Sequence, residues 1–198
     1  MSGSDARALA RSLLDLCRMR KLTIATAESC TGGLIAGALT DIPGSSDVVD
    51  RGFVTYSNEA KRAMLGVDAS TLATFGAVSK ETATQMAVGA LERASVDLAI
   101  ATTGIAGPGG AVPGKPVGLV HLAAAARDGR IVHRECRFGG IGRTAVRQRS
   151  VVEALRMLME LARGPQAKPR RQSVSRLRPR LARTSRLHPV KRRRPPRG

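Results

Sequence analysis

Glu28, Ser29 and Cys30 bring an acid, a hydroxyl and a thiol together in one stretch, Thr26-Ala27-Glu28-Ser29-Cys30-Thr31-Gly32-Gly33. A hydroxyl or thiol becomes a nucleophile only beside a group that takes its proton. An apolar run over residues 22–27 precedes the stretch and a helical pattern over 34–39 follows it. Strand, sharp turn and helix are the implied order. Two consecutive glycines let backbone approach a ligand closely, and the N–H groups at a helix start have no partner within the helix. The same order also suits a plain strand-to-helix connection with Thr31 as N-cap.

In α/β sheets ligands bind beyond the carboxyl ends of strands. Three loops stand at such ends: 27–33, 56–61 and 102–110. Their convergence would assemble Ser29, Cys30, Tyr56, Lys61 and Thr103 with several exposed backbone N–H groups. None of these loops holds a histidine, so a Ser-His-Asp triad is not expected. A lysine held neutral by burial can activate serine instead. Tyr56 and Lys61 are near enough in sequence to meet across a strand-to-helix turn; a solvated Lys61 beside Arg62 is the plain alternative. Tyr56-Ser57-Asn58 resembles a triplet of penicillin-recognising enzymes, but neither S-x-x-K nor K-T-G accompanies it. The 104–110 loop is not a P-loop, because no G-K-[ST] follows. Both glycine-rich loops are candidate anion nests.

The elements that must position these residues follow from periodicity. Helices are expected over 4–19, 31–40, 59–65, 68–75, 78–94 and 142–163. Ser57 and Asn58 cap the third of these. Strands are expected over 22–27, 51–56 and 96–102, with a hairpin of 116–126 and 129–138 turning at Asp128-Gly129. Helices and apolar strands alternate first and a hairpin follows. The expected fold class is therefore α/β, a three-layer α/β/α sandwich on a mixed sheet.

Composition bounds the rest. The 198 residues are 42% apolar, enough for one domain with a real core. With one Tyr, three Phe and no Trp, that core must be built from Ala, Val, Leu and Ile. No apolar run approaches the roughly 20 residues of a membrane span, and no secretory leader is expected. Cys17, Cys30 and Cys136 have no metal-binding spacing. Their odd number points to reduced thiols in a cytoplasm. The scattered His121, His133 and His188 suggest no zinc site. The net charge of +18 is concentrated at one end. Residues 166–198 hold 13 basic and no acidic side chains, leaving 20 basic against 15 acidic in residues 1–165. The expected division is a domain over 1–164 and a disordered basic tail over 165–198. An arginine-rich arm of this kind suits weak binding to nucleic acid or an anionic surface. A bland extension fits the composition equally.

Several of these stretches closely resemble the CinA C-terminal domain family. They are residues 27–33, Gly44-Ser45-Ser46, the run from Gly52 to Lys61, and Thr103-Gly104-Ile105-Ala106-Gly107-Pro108-Gly109-Gly110. The similarity covers about residues 5–163. It implies hydrolysis of the carboxamide of nicotinamide mononucleotide to the acid and ammonia, in pyridine-nucleotide salvage. It also implies Ser29 as nucleophile, Lys61 as base and Tyr56 as a third catalytic residue. Glu28, Thr31, Gly32, Gly33, Asn58, Thr103, Gly104, Gly107 and Arg143 are then substrate-binding positions, and the assembly is a homo-oligomer. No metal or other cofactor is expected, because base and electrophilic donors are already present. Two departures mark this chain. Phe138-Gly139-Gly140-Ile141-Gly142-Arg143 lacks the acid that usually precedes the arginine, and the basic tail is outside the family pattern. The additional N-terminal nucleotide-binding domain of larger members, with any pyrophosphatase activity, is not expected here. A different class of function, a nucleotide-binding module without turnover that acts on nucleic acid through its tail, is the alternative.

Overall fold

The structure, a computed structural model, describes residues 3–164. The tail expected over 165–198 lies outside the described residues. The described chain runs α1 (Gly3–Arg20), β1 (Ile24–Glu28), α2 (Leu34–Thr40), a short 3-10 turn (Ser45–Asp47), β2 (Val49–Val54), α3 (Asn58–Leu65), α4 (Ala69–Phe75), α5 (Lys80–Ala94), β3 (Leu98–Gly104), β4 (Leu119–Ala126), β5 (Ile131–Arg137) and α6 (Arg143–Arg163). The five strands form one sheet in the order β2-β1-β3-β4-β5. β1 is parallel to both β2 and β3, while β4 and β5 are antiparallel additions. The sheet is mixed, as the sequence pattern implies.

Alternation along the strands builds the three layers. Ile24, Leu98, Ile100, Val120 and Leu122 face α1, α2 and α6, where Leu13, Leu14, Ile35, Leu39, Leu155 and Leu158 meet them. The opposite face is nearly all alanine. Ala27, Ala99, Ala101, Ala123 and Ala125 lie against Ala83, Met86, Ala87 and Ala90 of α5. Small residues on both sides let that helix sit close to the strands. A core poor in aromatic side chains is thus filled by proximity on one face and by branched aliphatics on the other. No described helix is long and apolar enough to cross a membrane.

Two boundaries next to the candidate loops differ from the sequence expectation in ways that bear on the site. The helix expected from residue 31 begins only at Leu34, because Gly32 and Gly33 adopt φ of 59° and 96°. Positive φ breaks a right-handed helix, so the turn is three residues longer than the pattern implies. The second strand ends at Val54, which leaves Tyr56 in the loop beyond it. The hairpin turns at Gly129, with φ of 94°, as the Asp-Gly pair implies.

Candidate active site

Three strand ends bring the candidate residues together. Glu28 is the last residue of β1, paired with Val54 of β2 on one side and Thr102 of β3 on the other. The following loops therefore leave the sheet side by side. The Ser29 N–H donates to the Thr102 carbonyl at 3.0 Å, and the Thr55 N–H donates to the Glu28 carbonyl at 2.8 Å. Ser29 is held at the sheet edge, 9% exposed.

Lys61 reaches Ser29 from the first turns of α3. That helix starts where the Ser57 hydroxyl accepts from the Ala60 N–H at 3.0 Å. Lys61 is 1% exposed, the largest of the fully buried side chains. Its Nζ donates to the Thr55 carbonyl at 2.9 Å and to Ser29 Oγ at 3.2 Å. Among the described residues no carboxylate forms an ion pair with it. Burial without a counter-charge disfavours the ammonium form and lowers its pKa below the ordinary 10.5. Once neutral, Nζ offers a lone pair to the serine hydroxyl. The neighbouring Cys30 is 5% exposed, and burial pushes its thiol up to about 11. At neutral pH that shift favours the protonated thiol over the thiolate.

Tyr56 stands in the loop beyond β2. It is 61% exposed, because β2 ends before it, and its hydroxyl accepts from Arg143 Nη2 at 3.0 Å. Arg143 opens α6 and also donates from Nη1 to the Gly107 carbonyl at 3.3 Å. It ties the loop after β2 to the loop after β3. Asn58 is exposed on the first turn of α3.

The turn after β1 departs most from expectation. Thr31 is fully buried; its hydroxyl is bonded to that of Thr102 at 2.8 Å rather than capping α2. The Glu28 side chain caps the helix instead. Oε2 accepts from the N–H groups of Gly33 and Ile35 at 3.0 Å each, and Oε1 accepts from Ala36 N–H at 2.8 Å and from the Thr26 hydroxyl at 3.2 Å. The start of α2 is therefore closed to an external anion by the protein's own carboxylate. Glu28 and the Gly33 amide serve the fold of the turn and are not presented to substrate. Among the described residues the Cys30 and Thr31 amides have no oxygen acceptor, whereas Gly32 N–H is bonded to the Ser29 carbonyl.

The loop after β3 divides similarly. Thr103 is buried and its hydroxyl donates to the Ala77 carbonyl at 2.7 Å. A side chain at Gly104 would meet the Leu119 carbonyl at 2.7 Å, so this position serves strand pairing. The buried Ala106 and Gly107 have amides without an acceptor among the described residues. They are the better-placed anion nest of this loop.

One residue escaped the sequence reading. Arg147, one helical turn after Arg143, donates from Nη2 to the Thr31 carbonyl at 2.8 Å. The available signal is the i, i+4 spacing of two arginines at the start of the last helix. A cavity of about 480 Å3 lies elsewhere, between α1, α2 and α6, lined in part by Ala6, Gly37, Asp41 and Val152. It contains no nucleophile, whereas the candidate residues lie at the strand ends.

Known proteins are similar to this chain over most of the described residues. The family model of the CinA C-terminal domain matches residues 6–162. The nicotinamide-nucleotide amidohydrolase PncC of Escherichia coli is 48% identical over 161 residues, covering 81% of this chain and 96% of that protein. A CinA-like protein of Chloroherpeton thalassium is 62% identical over 111 residues, 56% of this chain. The chain spans only 26% of that relative's length and 33% of a CinA-like protein of Mycolicibacterium gilvum. The crystal structure of competence/damage inducible protein CihA from Agrobacterium tumefaciens superposes with a TM-score of 0.78 at 60% identity, over 79% of this chain and 95% of that one.

Proposed function

The chain belongs to the CinA C-terminal domain family, and on that premise we propose that it hydrolyses the carboxamide of nicotinamide mononucleotide. The observation that supports this reading best is the contact of a buried, unpaired Lys61 with Ser29 Oγ at 3.2 Å. It suits acyl transfer from an amide. The PncC relative is named for that reaction.

In this reading neutral Lys61 takes the Ser29 proton as Oγ bonds to the carboxamide carbon. The negative charge that develops on the carboxamide oxygen is met by the Cys30 and Thr31 amides. Lys61 then returns the proton to the leaving nitrogen, the C–N bond breaks and ammonia departs. Water, deprotonated by Lys61, attacks the Ser29 ester; the acyl C–Oγ bond breaks, Lys61 returns the proton to Oγ, and nicotinic acid mononucleotide is released. The 5′-phosphate is held by Arg143 and the amides of Ala106 and Gly107, since Glu28 fills the start of α2. Pyridine-nucleotide salvage, a homo-oligomeric state and a cytoplasmic location belong to the same reading.

Purified protein given nicotinamide mononucleotide should release ammonia at a rate that chelator leaves unchanged. Ser29→Ala should lower kcat by several orders of magnitude, and Cys30→Ala should keep most of it. The opposite ranking would show that the thiol is the nucleophile. Nucleotide binding with no ammonia above background would instead favour a binding module.

A further inference from the structure

We infer that Arg147 is a positioning residue for the turn that carries Ser29, holding the Cys30 and Thr31 amides toward the oxygen of the reacting acyl group. The inference rests on the serine-acylation reading above. Its ground is geometric. The turn from Ser29 to Gly33 is fixed at its near end by the Ser29 N–H on Thr102 and at its far end by the Glu28 side chain on α2. Between these ends, Thr31 is held at two atoms. Its hydroxyl meets Thr102, and its carbonyl accepts from Arg147 Nη2 at 2.8 Å and from the Leu34 N–H at 3.4 Å. The Arg147 bond is the shorter of the two at that carbonyl, and with the Thr102 bond it holds the backbone of Thr31 and the adjoining amides.

Three further observations agree. Arg147 lies against the turn, for a Cβ built at Gly32 would stand in ordinary contact with its Nη2, at 3.4 Å. Arg147 Nε is buried with no acceptor among the described residues, so the guanidinium is not placed to complete its own hydrogen bonds. Finally, its charge reaches the turn: Arg147 and Lys61 both favour the anionic form of the Cys30 side chain, against the larger effect of burial. A negative oxygen formed beside the adjoining Ser29 lies in the same field. Unlike Lys61, Arg147 keeps that charge when the base is neutral.

The test uses the full chain with three readouts: kcat and KM for nicotinamide mononucleotide, the rate of Ser29 labelling by a fluorophosphonate, and the melting temperature. Labelling forms an Oγ–P bond as fluoride leaves, so it reports on the serine and its turn without the nucleotide. Arg147→Ala should lower kcat and the labelling rate by about a hundredfold, with KM moved by less than about threefold. Millimolar guanidinium, well below denaturing levels, should restore part of both rates. Arg147→Lys keeps a charge but not the fork, and should fall about tenfold. If Arg147→Ala does not fold, Arg147→Lys decides the matter by the same split. A folded variant with kcat and labelling within threefold of wild type overturns the inference. So does a rise in KM at constant kcat, which would make Arg147 a ligand for the substrate anion. Wild-type protein that neither turns over nor labels would overturn the Ser29 reading itself, an outcome distinct from failure in the variants alone.

Discussion

Glu28→Gln perturbs the site through one carboxylate. The wild-type side chain satisfies three backbone N–H groups and one hydroxyl: Gly33 and Ile35 at Oε2, Ala36 and Thr26 at Oε1. An amide has one acceptor and one donor end. Its better orientation keeps oxygen at the Oε2 position and turns NH2 toward Thr26, whose hydroxyl can rotate to accept. The Ala36 N–H then faces a donor and loses its partner. An orphaned donor costs about 1–3 kcal/mol, and losing the charge on the other two bonds costs on the order of 1 kcal/mol each. Relief from burying a carboxylate offsets part of this, since Glu28 is 0% exposed. A net loss of about 2–4 kcal/mol remains. For a domain of this size that is roughly 5–15 °C in melting temperature. Thermal unfolding followed by circular dichroism measures it. Glu28→Ala strips all three amides and should fall further. A Glu28→Gln protein melting within about 2 °C of wild type would refute the assignment of this carboxylate as the cap, and with it the closure of α2 to anions.

In the proposed mechanism only the neutral form of Lys61 takes the Ser29 proton, and its pKa lies below 10.5, so the activity should show an alkaline-rising limb. Lys61→Arg should be as inactive as Lys61→Ala across the pH range, since arginine keeps its proton; substantial turnover by Lys61→Arg would reduce Lys61 to a charge that binds substrate. The same shift predicts stability. Between the folded and unfolded pKa values the unfolded chain binds one more proton, so wild-type stability rises with pH up to about 10.5, and Lys61→Met should lose that slope in pH-dependent melting. Deleting residues 165–198 should leave kcat within about twofold, because the family model ends at residue 162 and every site residue precedes it. A tenfold loss on deletion would place the basic segment in the site or its assembly. Any nucleic-acid binding by the full chain should weaken steeply with salt and vanish with the deletion.

The strand-turn-helix order, the mixed sheet and the meeting of the loops at 27–33, 56–61 and 102–110 were legible because each is local. An apolar strand followed by a helix in a parallel unit sends its loop to one edge of the sheet, whatever the rest of the chain does. Ser29 and Lys61 were legible for the same reason, one beside each such loop. The role of Glu28 was not. Propensity favours Thr31 as the N-cap, and only the positive φ of Gly32 and Gly33 moves the helix start to where a carboxylate five to eight residues earlier can reach it. Arg147 was hidden by distance: its partner, Thr31, is 116 residues away in sequence. No periodicity in α6 tells which of its arginines meets a turn built that far upstream.

Those two residues carry a consequence for the chemistry. A base that works by losing its charge cannot also supply the positive field that an anionic substrate and a developing oxyanion require. In the proposed mechanism the two tasks fall to different residue types. Lys61, buried and unpaired, can become neutral. Arg143 and Arg147 cannot, and both are anchored on backbone carbonyls of the loops that surround Ser29. Glu28 is turned away onto the amides of α2, where its charge completes the cap. In that mechanism the site keeps two fixed positive charges at the moment its base is neutral. Exchanging the roles, with lysine on the loop carbonyls and arginine beside Ser29, would preserve the net charge and abolish the base.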